Sequence, residues 1–244
     1  MTVTTETAPS PTFTPAATPA PVRPKRSVKR RVLRALVFTI VGYVVLWAVA
    51  SLGILAASKW AQSDTPVPAG TPVVQGVNNF RPVDSDGHLW RGAAPSPEGY
   101  RNLAEIGVTT VVDLRGEDLS AAQLASPGKA GLELVRMPVR DGQTPTQAEV
   151  KEFLDIVSST SGKVYVHCGA GVGRTGAMVA AYLVQTGEAS PATAVKRNLS
   201  VGPPSVEQIW YGLTLNKDEA EQPPVAVEAV SRLIDAPRRI MSYL

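Results

Sequence analysis

The segment that most constrains the fold of this chain is a glycine-rich turn, HCGAGVGRTG, at residues 167–176. The apolar run at residues 164–167 is typical of a short buried strand, and residues 175–186 have the composition of a helix that Gly187 ends. A strand joined to a helix by so short a turn is the repeating unit of α/β domains. The segment therefore predicts an α/β fold.

Strand-like and helix-like segments alternate on either side of this turn. Residues 109–114 and 132–137 are typical of buried strands, and capping boxes at residues 146–149 and 205–208 begin two helices. This alternation predicts a mostly parallel central sheet with helices on both faces. We assign the domain to residues 75–216.

The segments outside that domain differ from it in composition. Residues 1–34 are a Thr-, Pro- and Ala-rich tail followed by a basic arm, and the composition of the tail, residues 1–22, predicts disorder. Residues 35–58 hold no charged side chain, and 24 residues of helix measure roughly 36 Å, enough to cross a hydrocarbon core of about 30 Å. We therefore expect a transmembrane helix at 35–58, a Pro-rich linker at 59–74 and a C-terminal helical tail at 217–244.

The charges around the expected transmembrane helix predict its orientation. Seven Lys and Arg residues lie within the 20 residues before it, against Lys59 alone in the 20 residues after it. Because the positive side of a membrane helix stays in the cytoplasm, we expect a single-pass protein of the cell membrane with a cytoplasmic N-terminus and the domain outside. A cleaved signal peptide, with residues 56–58 as the cleavage site, is the alternative.

The net charge of +3 does not indicate nucleic-acid binding, because the basic residues are concentrated in the arm. Seven of the 24 Lys and Arg residues precede residue 35, and from Lys59 onward 17 basic residues stand against 20 acidic ones. The single cysteine, Cys168, excludes an intramolecular disulfide and a cysteine-based metal site. We expect no metal ion, no cofactor and no nucleic-acid partner.

The glycine-rich turn has the features of a phosphate-binding site. Gly169, Gly171 and Gly173 allow backbone angles that turn several N–H groups toward one point, and the helix that follows adds its positive dipole end. A cysteine beside such a turn is stabilised as the nucleophilic thiolate. Arg174 offers a planar fork that can hold two phosphoryl oxygens at once. These parts suit attack of Cys168 on phosphorus, giving a phosphocysteine that water then hydrolyses.

The remaining residues of the turn have supporting roles in this interpretation. Thr175 can donate its hydroxyl to the Cys168 sulfur in the second step, and His167 is expected to fix the loop by hydrogen bonds rather than to transfer protons. The expected phosphate-binding residues are Gly169, Ala170, Gly171, Val172, Gly173 and Arg174.

The sequence HCGAGVGRTG resembles the signature of the protein tyrosine phosphatase and dual-specificity phosphatase superfamily, His-Cys-x5-Arg-Ser/Thr. The stretch from residue 78, NFRPVDSDGHLWRGAAPSPEGYRNLAEIGVTTVVDLRGE, resembles its small bacterial and fungal dual-specificity-like branch. The resemblance covers roughly residues 75–215. It implies a cysteine-dependent phosphoric monoester hydrolase and an aspartic acid, on a separate loop, that protonates the leaving oxygen.

Asp141 is the candidate for that acid. It ends a Pro-x-x-Asp pattern 27 residues before Cys168, and Gly142 would let the loop move. The alternative is a turn aspartate, since Asp-Gly is a common turn pair. Asp113, at the end of a strand, is the rival acid and is expected to tie down structure instead. Gln208 either helps to place the hydrolytic water or caps a helix.

The expected function is hydrolysis of phosphomonoesters, first of all phosphotyrosine in proteins, by a membrane-anchored enzyme. A phosphoinositide, an inositol phosphate or another phospholipid is the alternative substrate, because a membrane anchor brings lipid headgroups within reach. The five variable positions of the loop carry no charge, which favours a simple phosphomonoester over a polyanion. An alternative of another class is a phosphate-binding module without catalysis.

Overall fold

The computed structural model describes residues 28–242, with side chains up to residue 237. The predicted disordered tail at residues 1–22 and the first residues of the basic arm, 23–27, lie outside it. Eight helices and five strands follow one another in this part of the chain. In chain order they are α1 (Val28–Asp64), β1 (Arg81–Pro82), β2 (Leu89–Gly92), α2 (Pro97–Glu105), β3 (Val108–Arg115), α3 (Ala121–Lys129), β4 (Glu133–Val139), α4 (Gln147–Ser159), β5 (Lys163–His167), α5 (Gly173–Gln185), α6 (Pro191–Leu199), α7 (Val206–Thr214) and α8 (Val225–Ser242).

The five strands form one sheet in the order β1-β2-β5-β3-β4. Strands β2, β5, β3 and β4 are parallel, and β1 pairs antiparallel with β2 at one edge. The predicted α/β fold with a mostly parallel sheet is confirmed. The sequence does not predict β1 or α3, because β1 has only two residues, one of them proline, and α3 contains Pro127.

Side chains of the central strand β5 alternate between two hydrophobic cores. Val164 and Val166 belong to the core that contains Phe153 of α4 and most of α5. Tyr165 belongs to the opposite core, with Leu103 of α2. Helices therefore cover both faces of the sheet, as parallel sheets require.

Helix α1 extends beyond residues 35–58 at both ends and includes the first residues of the predicted linker. It is long and apolar enough to cross a membrane, criteria of length and composition that a signal sequence near the N-terminus also meets. The chain divides into two units after Tyr43, inside this helix.

The C-terminal end of α1 packs on α6 within the second unit. The Ser58 hydroxyl donates to the Leu199 carbonyl oxygen at 2.8 Å. The Lys196 ammonium pairs with the Asp64 carboxylate and lies 4.9 Å from the ring centroid of Trp60. These contacts hold the last two turns of α1 against the domain.

Helix α8 packs on α7 at the other end of the chain. The buried Ser231 hydroxyl accepts a hydrogen bond from the Glu207 backbone N–H at 3.2 Å. The helix continues through Pro237. The described part of the predicted C-terminal tail thus contains a helix that rests on the domain.

Candidate active site

The glycine-rich loop lies at the centre of the carboxyl edge of the sheet. Strand β5 is parallel to both of its neighbours, β2 and β3. Cys168 follows the last residue of β5 directly and is 3% exposed. Helix α5 begins five residues later, at Gly173. The strand, loop and helix predicted from the sequence therefore occupy the place where α/β domains bind ligands.

Two glycines of this loop are required by close approach of other groups. Gly171 has φ +73°, and a Cβ there would overlap the backbone of Gly92 at the end of β2. A Cβ at Gly173 would lie 2.6 Å from the Gln208 side-chain oxygen. The loop can take its path only without side chains at these points.

The loop presents unpaired backbone donors. Within the described part of the chain, none of the backbone N–H groups of residues 169–173 donates a hydrogen bond to another protein group. The first turn of α5 follows Val172, which provides no side-chain cap. Free N–H groups at a helix N-terminus form an anion-binding concavity because they combine donors with the positive end of the helix dipole.

Arg174, in the first turn of α5, is held by carboxylates from two other loops. Its Nη1 and Nη2 both donate to the Glu117 carboxylate at 2.8 Å, and Nη1 also donates to the Val139 carbonyl oxygen at 3.2 Å. Its Nη2 lies 3.3 Å from Oδ1 of Asp141. The buried Nε has no hydrogen-bond partner among the described residues. The guanidinium thus keeps one donor free beside the loop.

The charges at this fork shift the pKa of both partners. Burial alone lowers the pKa of Arg174, but the hydrogen bonds with Glu117 and the charges of Cys168 and Asp141 outweigh it, so the pKa is raised. The hydrogen bonds from Arg174 lower the pKa of Glu117 in turn. Both side chains are therefore charged at neutral pH.

Asp141 lies in the turn that follows β4, next to the loop. Its side chain is 56% exposed and faces Arg174. Gly142 after it has φ +78°, a conformation that side chains disfavour. The structure thus brings Asp141, Cys168 and Arg174 to one place.

His167 is fully buried under the loop and is tied to it. Its Nδ1 lies 2.9 Å from the Cys168 carbonyl oxygen and 3.9 Å from Oδ1 of Asp113. Burial lowers the pKa of His167 to about 4, against the opposing charge of Asp113. The imidazole is therefore neutral at neutral pH and bonded to the loop backbone.

Asp113 lies away from the reacting groups and has structural partners. Its side chain is 1% exposed and accepts hydrogen bonds from the backbone N–H, Nε and Nη2 of Arg115 at 2.8–3.2 Å. Burial raises the pKa of Asp113, but the hydrogen bonds from Arg115 prevail and lower it. Asp113 ties down the end of β3.

The side chains of Thr175 and Gln208 differ in their hydrogen-bond partners. The Thr175 hydroxyl is buried without a hydrogen-bond partner among the described residues, so the predicted bond to the Cys168 sulfur is not formed here. Gln208 completes a capping box, with Oε1 accepting from the Ser205 N–H at 3.0 Å, and its Nε2 donates to the Gln143 carbonyl oxygen at 3.0 Å. Both ends of the Gln208 amide are occupied by protein groups.

A cleft of about 330 Å³ lies at the loop. Cys168 and Arg174 line it together with other residues of the loop and Gln208 of α7. Its lining residues are Glu117, Asp141, Gly142, Cys168, Ala170, Val172, Gly173, Arg174, Pro203, Pro204, Ser205 and Gln208.

Similarity to known proteins agrees with this geometry. A family model described as a DSP-PTPase phosphatase fused to NAD+ kinase matches residues 59–223. The chain belongs to this family. Its predicted relationship to the protein tyrosine and dual-specificity phosphatases is confirmed, and so is the general assignment to cysteine-based phosphatases.

Two curated relatives and one solved structure illustrate the similarity. The phosphatase is 42% identical over 99 residues to the probable NAD kinase 2, chloroplastic, of Oryza sativa subsp. japonica, a match covering 37% of this chain and 10% of the rice protein. It is 38% identical over 91 residues to the human dual specificity protein phosphatase CDC14C, covering 37% of this chain and 20% of that protein. The chain thus spans a fifth or less of these relatives. The fold is shared with the core catalytic domain of the PP-IP phosphatase SIW14 of S. cerevisiae. The two are 16% identical, with a TM-score of 0.51, and the match covers 68% of this chain and 96% of that chain.

The sequence analysis missed two residues of the phosphatase site, Glu117 and Arg91. Glu117 follows β3 as Asp141 follows β4, and the carboxyl ends of parallel strands meet at one edge of the sheet. That rule would have placed both carboxylates near Arg174.

Arg91 lies inside the buried strand β2 and supports the loop through a hydrogen bond to the loop backbone. It is 3% exposed, and its Nη2 donates to the Gly171 carbonyl oxygen at 2.8 Å and to Oδ1 of Asn198 at 3.0 Å. The Asn79 side-chain amide donates to the Ala170 carbonyl oxygen at 3.0 Å. A charged residue within a buried strand is the signal that would have indicated Arg91.

Proposed function

We propose that this phosphatase hydrolyses phosphomonoesters, first of all phosphotyrosine in proteins, through a phosphocysteine at Cys168. The observation that carries the proposal is the meeting of Cys168, Arg174 and Asp141 in one cleft, above five free backbone N–H groups. A nucleophile, a cation for the phosphoryl oxygens and an acid for the leaving oxygen are the parts that this reaction requires.

In the first step the Cys168 thiolate attacks phosphorus in line with the leaving oxygen. The S–P bond forms, the P–O bond to the leaving group breaks, and Asp141 gives a proton to the leaving oxygen. The loop N–H groups and Arg174 stabilise the charge on the other phosphoryl oxygens. Asp141 must turn away from Arg174 for this, and its exposed position before Gly142 allows the movement.

In the second step water attacks the phosphocysteine. Asp141, now a carboxylate, takes a proton from the water, whose oxygen bonds to phosphorus. The S–P bond breaks, its electron pair returns to Cys168, and inorganic phosphate leaves. The unpartnered Thr175 hydroxyl supports this step by donating a hydrogen bond to the departing sulfur. In this proposal Gln208 acts mainly as a helix cap, because both ends of its amide are engaged.

The lining of the cleft favours a simple phosphomonoester over a polyanion. Arg174 is the one cationic side chain among the described residues that line the cleft, and two carboxylates, Glu117 and Asp141, lie beside it. A second or third phosphate would meet negative charge there. The relative CDC14C is named as a protein phosphatase, whereas SIW14, named as a PP-IP phosphatase, shares only the fold. Phosphoinositides remain the second candidate, and an inactive phosphate-binding module the third.

We also propose that α1 anchors the enzyme in the cell membrane with the phosphatase domain outside. The supporting observations are its exposed apolar surface, its length and the basic residues before it. Protease added to intact spheroplasts should then cut the domain. Protection of the domain would reverse the orientation, and a mature N-terminus near residue 59 would indicate a signal peptide.

A substrate panel on the full chain tests the catalytic proposal. It compares phosphotyrosine peptides, phosphoserine peptides and phosphoinositides, with Cys168→Ser as the blank. We expect the highest kcat/KM on phosphotyrosine and no activity in Cys168→Ser. Activity that survives this substitution contradicts the covalent mechanism, a wide preference for lipid favours the second candidate, and a wild-type protein without activity favours the binding module.

A further inference from the structure

A second cavity, of about 420 Å³, shares no lining residue with the cleft described above. It is lined by residues that follow α1, by β1 and the turn after it, by Arg91 of β2, and by residues of α5, of α6 and of the loops after these two helices. Much of its surface is apolar, contributed by Pro66, Pro82, Val83, Val179, Leu183 and Val201. None of these residues has a role in the reaction.

Three arginines also line this cavity: Arg81, Arg91 and Arg197. Within the described residues, no carboxylate lies within 4.0 Å of any of the three guanidiniums. Among the residues that the structure describes, Arg81 donates only to the hydroxyl and carbonyl oxygens of Ser200, at 3.1 and 3.0 Å. Among the described residues, none of these three arginines is therefore held in an ion pair.

Arg91 is the most constrained of the three. It is 3% exposed, and its buried Nε has no hydrogen-bond partner among the described residues. The pKa of Arg91 is lowered to about 10, mainly by burial; the charge of Cys168 opposes this shift and the nearby charge of Arg81 adds to it. A buried cation with an unsatisfied donor is costly unless an anion pairs with it.

Two carboxylates line the same cavity, and both have other partners. Asp84 accepts hydrogen bonds from the backbone N–H groups of His88 and Leu89, at 3.0 and 2.9 Å. Glu188 accepts from the Thr186 hydroxyl at 3.3 Å. They do not supply the missing counter-charge at Arg91.

We infer that this cavity binds a phosphate-bearing anion with a short apolar part, with Arg81, Arg91 and Arg197 holding the phosphate and the proline and aliphatic side chains holding the apolar part. Arginine forks match phosphate oxygens in geometry and charge. Because Pro66 lies two residues after the end of α1, the proposed membrane anchor, the favoured source is the headgroup of an anionic phospholipid. The site is distinct from the cleft, since Cys168 and Arg174 do not line it.

The test is calorimetric titration of the full chain, held in phosphatidylcholine nanodiscs, with water-soluble dibutanoyl phosphatidylglycerol. This probe is a phosphodiester, so a phosphomonoesterase does not consume it. We expect saturable binding with one site, weakened about tenfold or more by the double substitution Arg81→Ala and Arg197→Ala, because two charge-assisted contacts are lost. Glycerophosphoglycerol, which lacks the acyl groups, is the second probe: weaker binding supports the apolar part of the ligand and its lipid source, and equal binding contradicts both.

Control variants separate this site from the reaction. Arg101→Ala, at an exposed position on α2, and Arg174→Ala, in the cleft, should both bind the probe as the wild type does. Loss of binding in Arg174→Ala would place the probe in the cleft and overturn the inference. So would unchanged binding in a double variant that melts as the wild type does. Both readouts are independent of phosphatase activity.

Discussion

Two buried arginines lie at the glycine-rich loop of this phosphatase, and they differ in the kind of partner they use. Arg174, at the end of the loop, donates to the exposed carboxylate of Glu117 and lies 3.3 Å from that of Asp141. Arg91, on the neighbouring strand, donates to the backbone carbonyl oxygen of Gly171. Each leaves a buried Nε without a hydrogen-bond partner in the described part of the chain.

We interpret this difference as that between an arginine that binds the substrate, Arg174, and one that supports the loop, Arg91. Carboxylates on exposed loops can swing aside and leave an arginine free to hold a phosphate, whereas loop carbonyls cannot move without moving the loop. The pKa values agree, since that of Arg174 is raised by its carboxylate partners despite burial, and burial lowers that of Arg91 to about 10. We therefore expect changes at Arg174 to affect activity and changes at Arg91 to affect stability.

The largest expected effect is that of Arg174→Lys on activity. A lysine is a point charge that cannot hold two phosphoryl oxygens, so kcat/KM should fall by about 10³-fold while the melting temperature changes little. The measurement is steady-state hydrolysis of p-nitrophenyl phosphate, with Arg101→Lys as the matched control. If Arg174→Lys lost as much stability as an Arg91 variant, the proposed difference in role between the two arginines would be contradicted.

The next effect is the pH dependence contributed by His167, which bonds the loop at its first residue. Burial lowers the pKa of His167 from 6.5 to about 4. Between these two values the imidazole is protonated in the unfolded chain but stays neutral in the folded protein. Stability should therefore fall as the pH drops through this window, by about 3 kcal/mol in total. Urea unfolding across the window measures it. His167→Gln should lose this part of the slope and His88→Gln should keep it; equal slopes in all three proteins would contradict the prediction.

Arg91→Met should lower the free energy of unfolding by about 2 kcal/mol, because the carbonyl oxygen of Gly171 and the amide oxygen of Asn198 lose a buried donor. Chemical denaturation measures this loss. The residual kcat/KM per folded molecule should stay far above that of Arg174→Lys. A drop in activity as deep as that variant's, without loss of stability, would make Arg91 a reactive group as well.

The smallest expected effect is that of Glu117→Gln, which tests whether the carboxylate positions Arg174 or competes with phosphate. The Glu117 side chain is 51% exposed, so its ion pair is screened and worth about 1 kcal/mol. We expect kcat/KM to fall about fivefold. Inhibition by inorganic phosphate provides the second readout: tighter inhibition in the variant would show that Glu117 competes for the fork. Glu98→Gln, at an exposed position on α2, is the matched control.

Much of the fold could be predicted from local patterns in the sequence. The alternation of buried strands and capped helices indicated the parallel sheet, because strand burial and capping boxes depend on residues close together in the chain. Strand β1 and helix α3 lacked such signals, since two residues show no period and Pro127 disfavours a helix. The end of α1 also depends on tertiary contacts. Its last turns continue past residue 58 because Asp64 pairs with Lys196 of α6. The Ser58 hydroxyl adds a hydrogen bond to the Leu199 carbonyl oxygen of the same helix.

The sequence by itself determined the loop, with Cys168 and Arg174 six residues apart between a strand and a helix, because one short segment holds all of it. Only the tertiary structure decided which groups surround that loop. Glu117 reaches Arg174 across 57 residues of chain, and Arg91 reaches the Gly171 carbonyl oxygen across 80. Such pairs depend on the order of strands in the sheet, and no local pattern encodes that order. The physical reason is that a charge buried by tertiary packing takes whatever partner the packing brings near it.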